Sequence, residues 1–307
     1  LAKTKSKVRR YSALIHTVLS FILVISGIIL LGMVISKESE LSKIKKNNRE
    51  IENVIAQVNQ NIDDYQLKLS EIETLKSEID EIKSTYFKNA VELETRARNK
   101  EGDYKVAFMT FDDGPYRLTE KYLDCLKEYD VQATFFLLKK DDEIYDDIYK
   151  RYKSECHTIG NHTASHKFRS IYSSEDAFIE DLKENRDFIE EKLGYTTEVM
   201  RFPGGSAQCS YEGVSRSNIA EKMSEIHYGY VDWNCMTGDG ESGVKSSDYY
   251  YHRLISSVTE DDRLLVILMH DYSENTLVAL PDIIEELQRQ GFVFLPLCYD
   301  SPTVKKQ

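Results

Sequence analysis

Five apolar stretches of this 307-residue chain each run directly into carboxylates, imidazoles or a guanidinium. They end as Thr110-Phe111-Asp112-Asp113-Gly114-Pro115, Gly160-Asn161-His162-Thr163-Ala164-Ser165-His166, Arg201-Phe202-Pro203-Gly204-Gly205, Asp232-Trp233-Asn234 and Met269-His270-Asp271. An apolar run belongs in a core, so a charged cluster at its end belongs where that core meets water. Short apolar runs over 105–112, 133–138, 158–162, 198–203, 228–234, 264–270 and 291–296 read as strands. Amphipathic stretches such as 175–193 and 276–290 read as helices between them. Alternation of the two argues for a parallel α/β domain, a barrel or an open sheet. In a parallel barrel the loops leaving the carboxyl ends of the strands share one face. The five polar ends are therefore expected to converge on a single rim.

Two of these ends suggest metal chemistry. His162 and His166 are separated by three residues, so one helical turn would turn both imidazoles to the same side. Imidazoles with a carboxylate suit zinc or a similar divalent ion, and three protein ligands leave a position open for water. Asp112 and Asp113 are adjacent, so in an extended strand they would point to opposite sides. Adjacent acids before Gly-Pro often form a solvated turn, but the strand entering them is apolar and should be buried. Two acids there suit two tasks, one holding a metal and one taking a proton.

The amino-terminal third is built differently. From Tyr11 to Ser36 no residue is charged, and that length matches the ~20 residues needed to cross a bilayer core. The run is too long for a signal-peptide core and has no evident small-residue cleavage site. Lys3, Lys5, Lys7, Arg9 and Arg10 precede it, which predicts a cytoplasmic tail over 1–10, a transmembrane helix over 11–36 and everything from Lys37 onward outside the cell. Residues 38–88 contain neither Pro nor Gly and read as one long helix. Leu41, Ile44, Ile51, Ile55, Val58, Ile62, Tyr65, Leu69 and Ile72 fall on a and d sites of one heptad frame, with Asn48 on the remaining a site. The stripe shifts by three residues after Ile72 and continues through Leu75, Ile79, Ile82 and Tyr86. The expectation is a coiled-coil-like stalk over 37–94 that self-associates through 38–88. A charged linker over 95–103, a catalytic-size domain over 104–300 and a tail over 301–307 complete the predicted organisation.

Charge and cysteine usage exclude other classes. The net charge is −12, and since the first 36 residues carry five of the 40 basic residues and none of the 52 acidic ones, the remainder is more acidic still. Such a domain repels phosphate backbones, which argues against nucleic-acid binding. The five cysteines have no CxxC or other zinc-ligand spacing. Gly238-Asp239-Gly240-Glu241-Ser242-Gly243 matches the dinucleotide GxGxxG pattern, but it follows the fifth strand rather than opening the first βαβ unit. It reads as a flexible loop.

With these residues in view, the five polar ends resemble the five motifs of the polysaccharide deacetylase family, also called the NodB-homology domain or carbohydrate esterase family four. The resemblance spans roughly residues 104–300 in family order and spacing, and its first motif, Thr110 to Pro115, is highly specific. It implies a deformed (β/α)7-type barrel behind the transmembrane and coiled-coil-like helices. It also implies a divalent metal, usually zinc and sometimes cobalt or nickel, held by Asp113, His162 and His166. A water on that metal would be the nucleophile and Asp112 its base. Arg201 would hold that base, and His270 would protonate the leaving amine. Asp232 would orient His270. Pro203, Gly204, Trp233 and Leu268 would line the substrate site, a Gly204 N–H serving the oxyanion. The implied activity is removal of N-acetyl groups from N-acetylglucosamine residues of an extracellular polysaccharide, peptidoglycan foremost, by a single-pass protein of the cell membrane. A deacetylase of a secreted exopolysaccharide and a non-catalytic glycan-binding scaffold are the alternative readings.

Overall fold

The computed structural model of the protein describes residues 38–306, so the uncharged run over 11–36 lies outside the described residues. Among the described residues no helix is long and apolar enough to cross a membrane. The chain divides into two units between Tyr86 and Phe87.

Helix α1, Glu38–Arg98, begins in the first unit and ends in the second. In the first unit its stripe is only partly covered, with Ile55, Leu69 and Ile82 being 38%, 47% and 52% exposed. The expected linker over 95–103 is corrected: α1 continues through Arg98 because Ala90, Glu94 and Ala97 are buried within the second unit. Ala97 packs in the same apolar cluster as Val106, Leu297 and Val304.

The second unit alternates strands and helices as follows: β1 Lys105–Gly114, α2 Thr119–Glu128, β2 Thr134–Leu137, α3 Asp146–Ser154, β3 Thr158–Asn161, α4 Phe168–Ile171, α5 Glu175–Leu193, β4 Val199–Met200, α6 Gln208–Glu212, α7 Arg216–Glu225, β5 Gly229–Tyr230, β6 Cys235–Met236, α8 Ser247–Ile255, β7 Leu264–His270, α9 Glu274–Arg289 and β8 Phe292–Phe294. Every strand pairing is parallel, in the order β5-β4-β3-β2-β1-β7-β6. β8 lies beside the first half of β1, and β2 pairs with its second half. Among the described residues the edge strands β5 and β6 do not pair with each other, so the sheet is a curled partial barrel, the deformed (β/α) form expected.

The period of two along β1 sorts its side chains. Ala107, Met109 and Phe111 join the larger apolar cluster with α2, α3 and α9. Val106 and Phe108 join the other face with Phe136, Val199, Val266 and Leu295. Thr110 and Asp112 continue that second row toward the carboxyl end, which is how an apolar strand delivers an acid to the rim. Helix α5 starts where the Ser174 hydroxyl accepts the Ala177 N–H, a cap worth about 1 kcal/mol. It ends on Gly194 in the left-handed conformation.

Two expected segments change shape. The single strand expected over 228–234 is only β5, followed by an irregular connection through Val231-Asp232-Trp233-Asn234 that leads to β6 beside β7. Of the expected tail over 301–307, the described part belongs to the domain, since Val304 is buried and Lys305 forms an antiparallel bridge with Tyr230.

Candidate active site

The Asp112-Asp113 pair does not follow the regular alternation. The β1 register against β2 shifts between Asp112 and Gly114, and Asp113 adopts φ +69°. This bulge re-aims the side chain, so both carboxylates reach one site rather than opposite faces. His162 Nε2 lies 3.7 Å from Asp112 Oδ2 and 3.5 Å from Asp113 Oδ1.

His162 and His166 meet there too, although no helical turn joins them. Residues 162–166 form a loop in which Thr163 and His166 have φ of +67° and +53°. Asp181 on α5 holds that loop by accepting the N–H groups of Ala164 and Ser165 at 2.6 and 3.0 Å. His166 Nε2 comes 3.4 Å from Asp113 Oδ1, and the two imidazole centroids lie 5.0 Å apart.

Asp113, His162 and His166 each bring a ligand atom within 4.8 Å of the other two. Their local chemistry fits a divalent cation. The Asp113 Oδ1 atom is buried with no hydrogen-bond partner, which leaves a negative oxygen uncompensated. His162 Nδ1 lies 2.8 Å from the Arg201 carbonyl, so this nitrogen carries the proton and Nε2 offers its lone pair to the cluster. Burial depresses the His162 pKa to about 3 despite the nearby Asp113 charge, keeping it neutral as a metal ligand must be.

Arg201 is fully buried beneath the cluster. Its Nη1 donates to Asp112 Oδ1 at 2.9 Å and to Thr110 Oγ1 at 2.7 Å, while Nε donates to the Val231 carbonyl. The guanidinium also lies 4.4 Å from the Phe136 ring centroid. Burial raises the Asp112 pKa, and the Arg201 charge opposes that rise. A carboxylate poised in this way is a better proton acceptor than a solvated one.

On the other flank, His270 ends β7, and its Nε2 is 3.9 Å from Asp113 Oδ2. Its partner is not the expected one. Nδ1 of His270 donates to Asp239 Oδ1 at 2.9 Å, and Asp239 Oδ2 accepts the His270 backbone N–H and the Thr276 hydroxyl. Burial disfavours the imidazolium, but the Asp239 bond and charge outweigh it and raise the His270 pKa to about 9. Asp232 instead accepts from the Ser206 N–H and hydroxyl and from Lys305, so its expected role on His270 is corrected.

A cavity of about 300 Å³ joins these groups, lined by Asp112, Asp113, His162, His166, Asp239 and His270 together with Phe168, Gly204, Trp233, Met236, Leu268 and Tyr272. Trp233, Leu268 and Gly204 therefore stand where expected. Pro203 does not: it is buried outside the cavity lining, and its carbonyl accepts the Tyr172 hydroxyl. Gly204 and Gly205 have φ of +75° and +83°, a turn that favours glycine, and no Gly204 N–H partner occurs among the described residues.

The segment read as a flexible loop is thus part of the site. Gly240 approaches His270 so closely that a Cβ there would lie 2.5 Å from the imidazole Cε1. The signal for Asp239 was present, because it follows the two-residue strand β6, but β6 at Cys235–Met236 lies just past the strand expected over 228–234 and is too short to be read as a strand of its own. Cys209 and Cys235 form no disulfide and lie in separate apolar clusters.

Comparison with known proteins matches this arrangement. Residues 99–221 match the family model for polysaccharide deacetylase. A peptidoglycan-N-acetylglucosamine deacetylase of Bacillus cereus is 31% identical over 195 residues, covering 62% of this chain and 68% of that protein. A chitin deacetylase of Colletotrichum lindemuthianum is 27% identical, covering 60% and 74% respectively. The catalytic domain of a peptidoglycan N-acetylglucosamine deacetylase from Eubacterium rectale superposes with a TM-score of 0.61 at 33% identity, covering 66% of this chain and 93% of that one. From its β1-to-β7 rim to these relatives, the chain belongs to the polysaccharide deacetylase family.

Proposed function

We propose that this protein hydrolyses N-acetyl groups on N-acetylglucosamine residues of an extracellular polysaccharide, with peptidoglycan as the first candidate substrate. The observation that carries the reading is the flanking of one cation cluster by a buried carboxylate, Asp112, and a cationic imidazole, His270. The peptidoglycan and chitin deacetylases among its relatives support the substrate class.

Asp113, His162 and His166 would hold a divalent cation, with zinc favoured by the imidazole-carboxylate set and cobalt or nickel compatible with it. Such an ion supplies Lewis-acid polarisation of the acetamide carbonyl. Asp112 takes the proton of the attacking water, with Arg201 fixing its orientation. The Gly204 N–H is free to donate to the developing oxyanion. His270 gives its proton to the departing amine nitrogen, since an amide anion is a poor leaving group. Asp239 keeps that histidine charged and fixed until transfer. Trp233, Met236 and Leu268 give the acetyl methyl an apolar wall.

The uncharged run over 11–36 behind a basic tail supports anchoring in the cell membrane with the catalytic unit outside. The exposed heptad stripe of α1 supports self-association between copies of this chain. The catalytic reading is tested by incubating the protein with N-acetylglucosamine oligomers and with purified peptidoglycan, with and without a chelator. Chelator-sensitive acetate release matched by new free amines is expected. Glycan binding without acetate release would leave a non-catalytic scaffold as the better account.

A further inference from the structure

Among the described residues Asp232 makes no hydrogen bond or ion pair with His270, yet both its carboxylate oxygens are engaged. Oδ1 accepts the Ser206 N–H at 2.8 Å, and Oδ2 accepts the Ser206 hydroxyl at 2.7 Å and the Lys305 ammonium at 3.1 Å. Ser206 directly follows the Gly204-Gly205 turn, whose first residue lines the cavity. A turn with two successive left-handed residues has little of its own to hold it, so its shape depends on what ties it down. Four ties are present: the Gly205 N–H to the Phe202 carbonyl, the Gln208 N–H to the Gly205 carbonyl, the Tyr172 hydroxyl to the Pro203 carbonyl, and Asp232 to Ser206.

Lys305 is itself anchored. Its backbone exchanges two 2.8 Å hydrogen bonds with Tyr230, two residues before Asp232. The preceding Val304 packs so tightly on Gly229 that a Cβ there would lie 2.3 Å from Val304 Cγ1. One residue further back, the Thr303 N–H and hydroxyl both donate to Glu94 Oε1 at 2.6 Å, and Arg98 donates to the Thr303 hydroxyl. Glu94 is 1% exposed, so this clasp is shielded from water. Residues 301–305 therefore form a strap tied to the end of α1 by Thr303 and to β5 by the Lys305 backbone.

We propose that Asp232 and Lys305 are positioning residues for catalysis: the strap presents Lys305 to Asp232, and Asp232 fixes the Gly204-Gly205-Ser206 turn in the cavity wall. The effect on rate rests on the deacetylase reading above, whereas the effect on the turn does not. Asp232 supplies three contacts and Lys305 one, from a side chain that is half exposed. Loss of Asp232 is therefore expected to matter far more than loss of Lys305. Displacing a cavity-wall donor by a fraction of its hydrogen-bond reach lowers kcat and leaves ground-state binding largely intact.

Acetate release and backbone hydrogen exchange over residues 202–208 are measured in parallel on the full chain as wild type, Asp232→Ala, Lys305→Met and Lys305→Arg. Asp232→Ala is expected to speed exchange at least tenfold and to lower kcat on the order of 10²-fold. Lys305→Met should change both a few-fold, and Lys305→Arg should restore them. KM and both limbs of the pH profile should stay where they are, which separates this role from that of a partner of His270. Unchanged exchange in Lys305→Met and Asp232→Ala would overturn the proposal, as would an Asp232→Ala alkaline limb displaced toward lower pH. Should Asp232→Ala not fold, the Lys305 pair decides alone, because its half-exposed side chain can change without opening the core. Should the wild type release no acetate, the exchange pattern still decides the positioning claim and only the deacetylase reading falls.

Discussion

Asp239 and His270 share two hydrogen bonds, one from the imidazole Nδ1 at 2.9 Å and one from the backbone N–H at 3.0 Å. The side-chain bond sets the proton on Nδ1 and favours the cation, while the backbone bond fixes where β7 ends relative to the 238–243 loop. Together they hold a cationic imidazole at the end of a buried strand, with its Nε2 3.9 Å from Asp113 Oδ2.

Replacing Asp239 by Asn should lower kcat on the order of 10²-fold, within the range of general-acid contributions. The acid form of His270 is present below its pKa and is lost as pH rises through it. Asp239 raises that pKa, so its removal should move the alkaline limb of the kcat profile to lower pH. In the metal-free protein an NMR titration should place His270 at about 9, and lower in Asp239→Asn. An unmoved alkaline limb would assign the acid to another residue.

Arg201 and Asp112 form an ion pair with almost no solvent access. Removing one partner strands the other charge in a low dielectric, so Arg201→Met should destabilise the protein by about 3–5 kcal/mol. Equilibrium urea unfolding measures this. A loss under 1 kcal/mol would mean that water reaches Asp112 once the guanidinium is gone.

His162→Ala and His166→Ala should each abolish stoichiometric binding of one divalent ion, read by elemental analysis of the purified protein. Ion binding to the wild type should also raise its thermal midpoint, because a ligand that binds only the folded state stabilises it. Wild-type ion content in either variant would move the metal elsewhere.

Gly240→Ala adds a methyl group where the His270 ring already sits. The ring must shift, and a displacement of this kind costs on the order of 10²-fold in kcat. Ser242→Ala, two residues along the same exposed loop, should leave kcat within twofold of wild type. Equal rates in Gly240→Ala and wild type would show that the loop yields instead of the histidine.

Placing a charge on the α1 stripe tests self-association. Ile55→Asp with Ile62→Asp should convert an oligomer into a monomer in light scattering of the detergent-solubilised full chain. The stripe would be a solvated helix face instead if the wild type were already monomeric.

Much of this architecture was legible because burial and charge alternate so sharply in the sequence. Strands β1 and β7 are long, apolar and end in ionisable residues, so Asp112, Asp113 and His270 could be placed on a rim before any coordinates. His162 and His166 were found from spacing, although the physical cause was a loop held by Asp181 rather than a helical turn. Asp239 was missed because β6 has only two residues, too few to show a period, and because three glycines nearby resemble a mobile loop. Asp232 was assigned to His270 because it lies beside Trp233, which does line the cavity, but adjacent residues on a turn need not face the same way. The strap at 301–305 carries no sequence signal of its own, since its hold on α1 and β5 depends on contacts about 200 and 75 residues away.

In the proposed mechanism Asp112 is a base beside the metal cluster and not one of its ligands. Acetate release and bound-ion content measured together on Asp112→Asn test this most directly. One ion per chain is expected, as in the wild type, with kcat lowered by at least 10²-fold. Wild-type kcat with the ion still bound would contradict it.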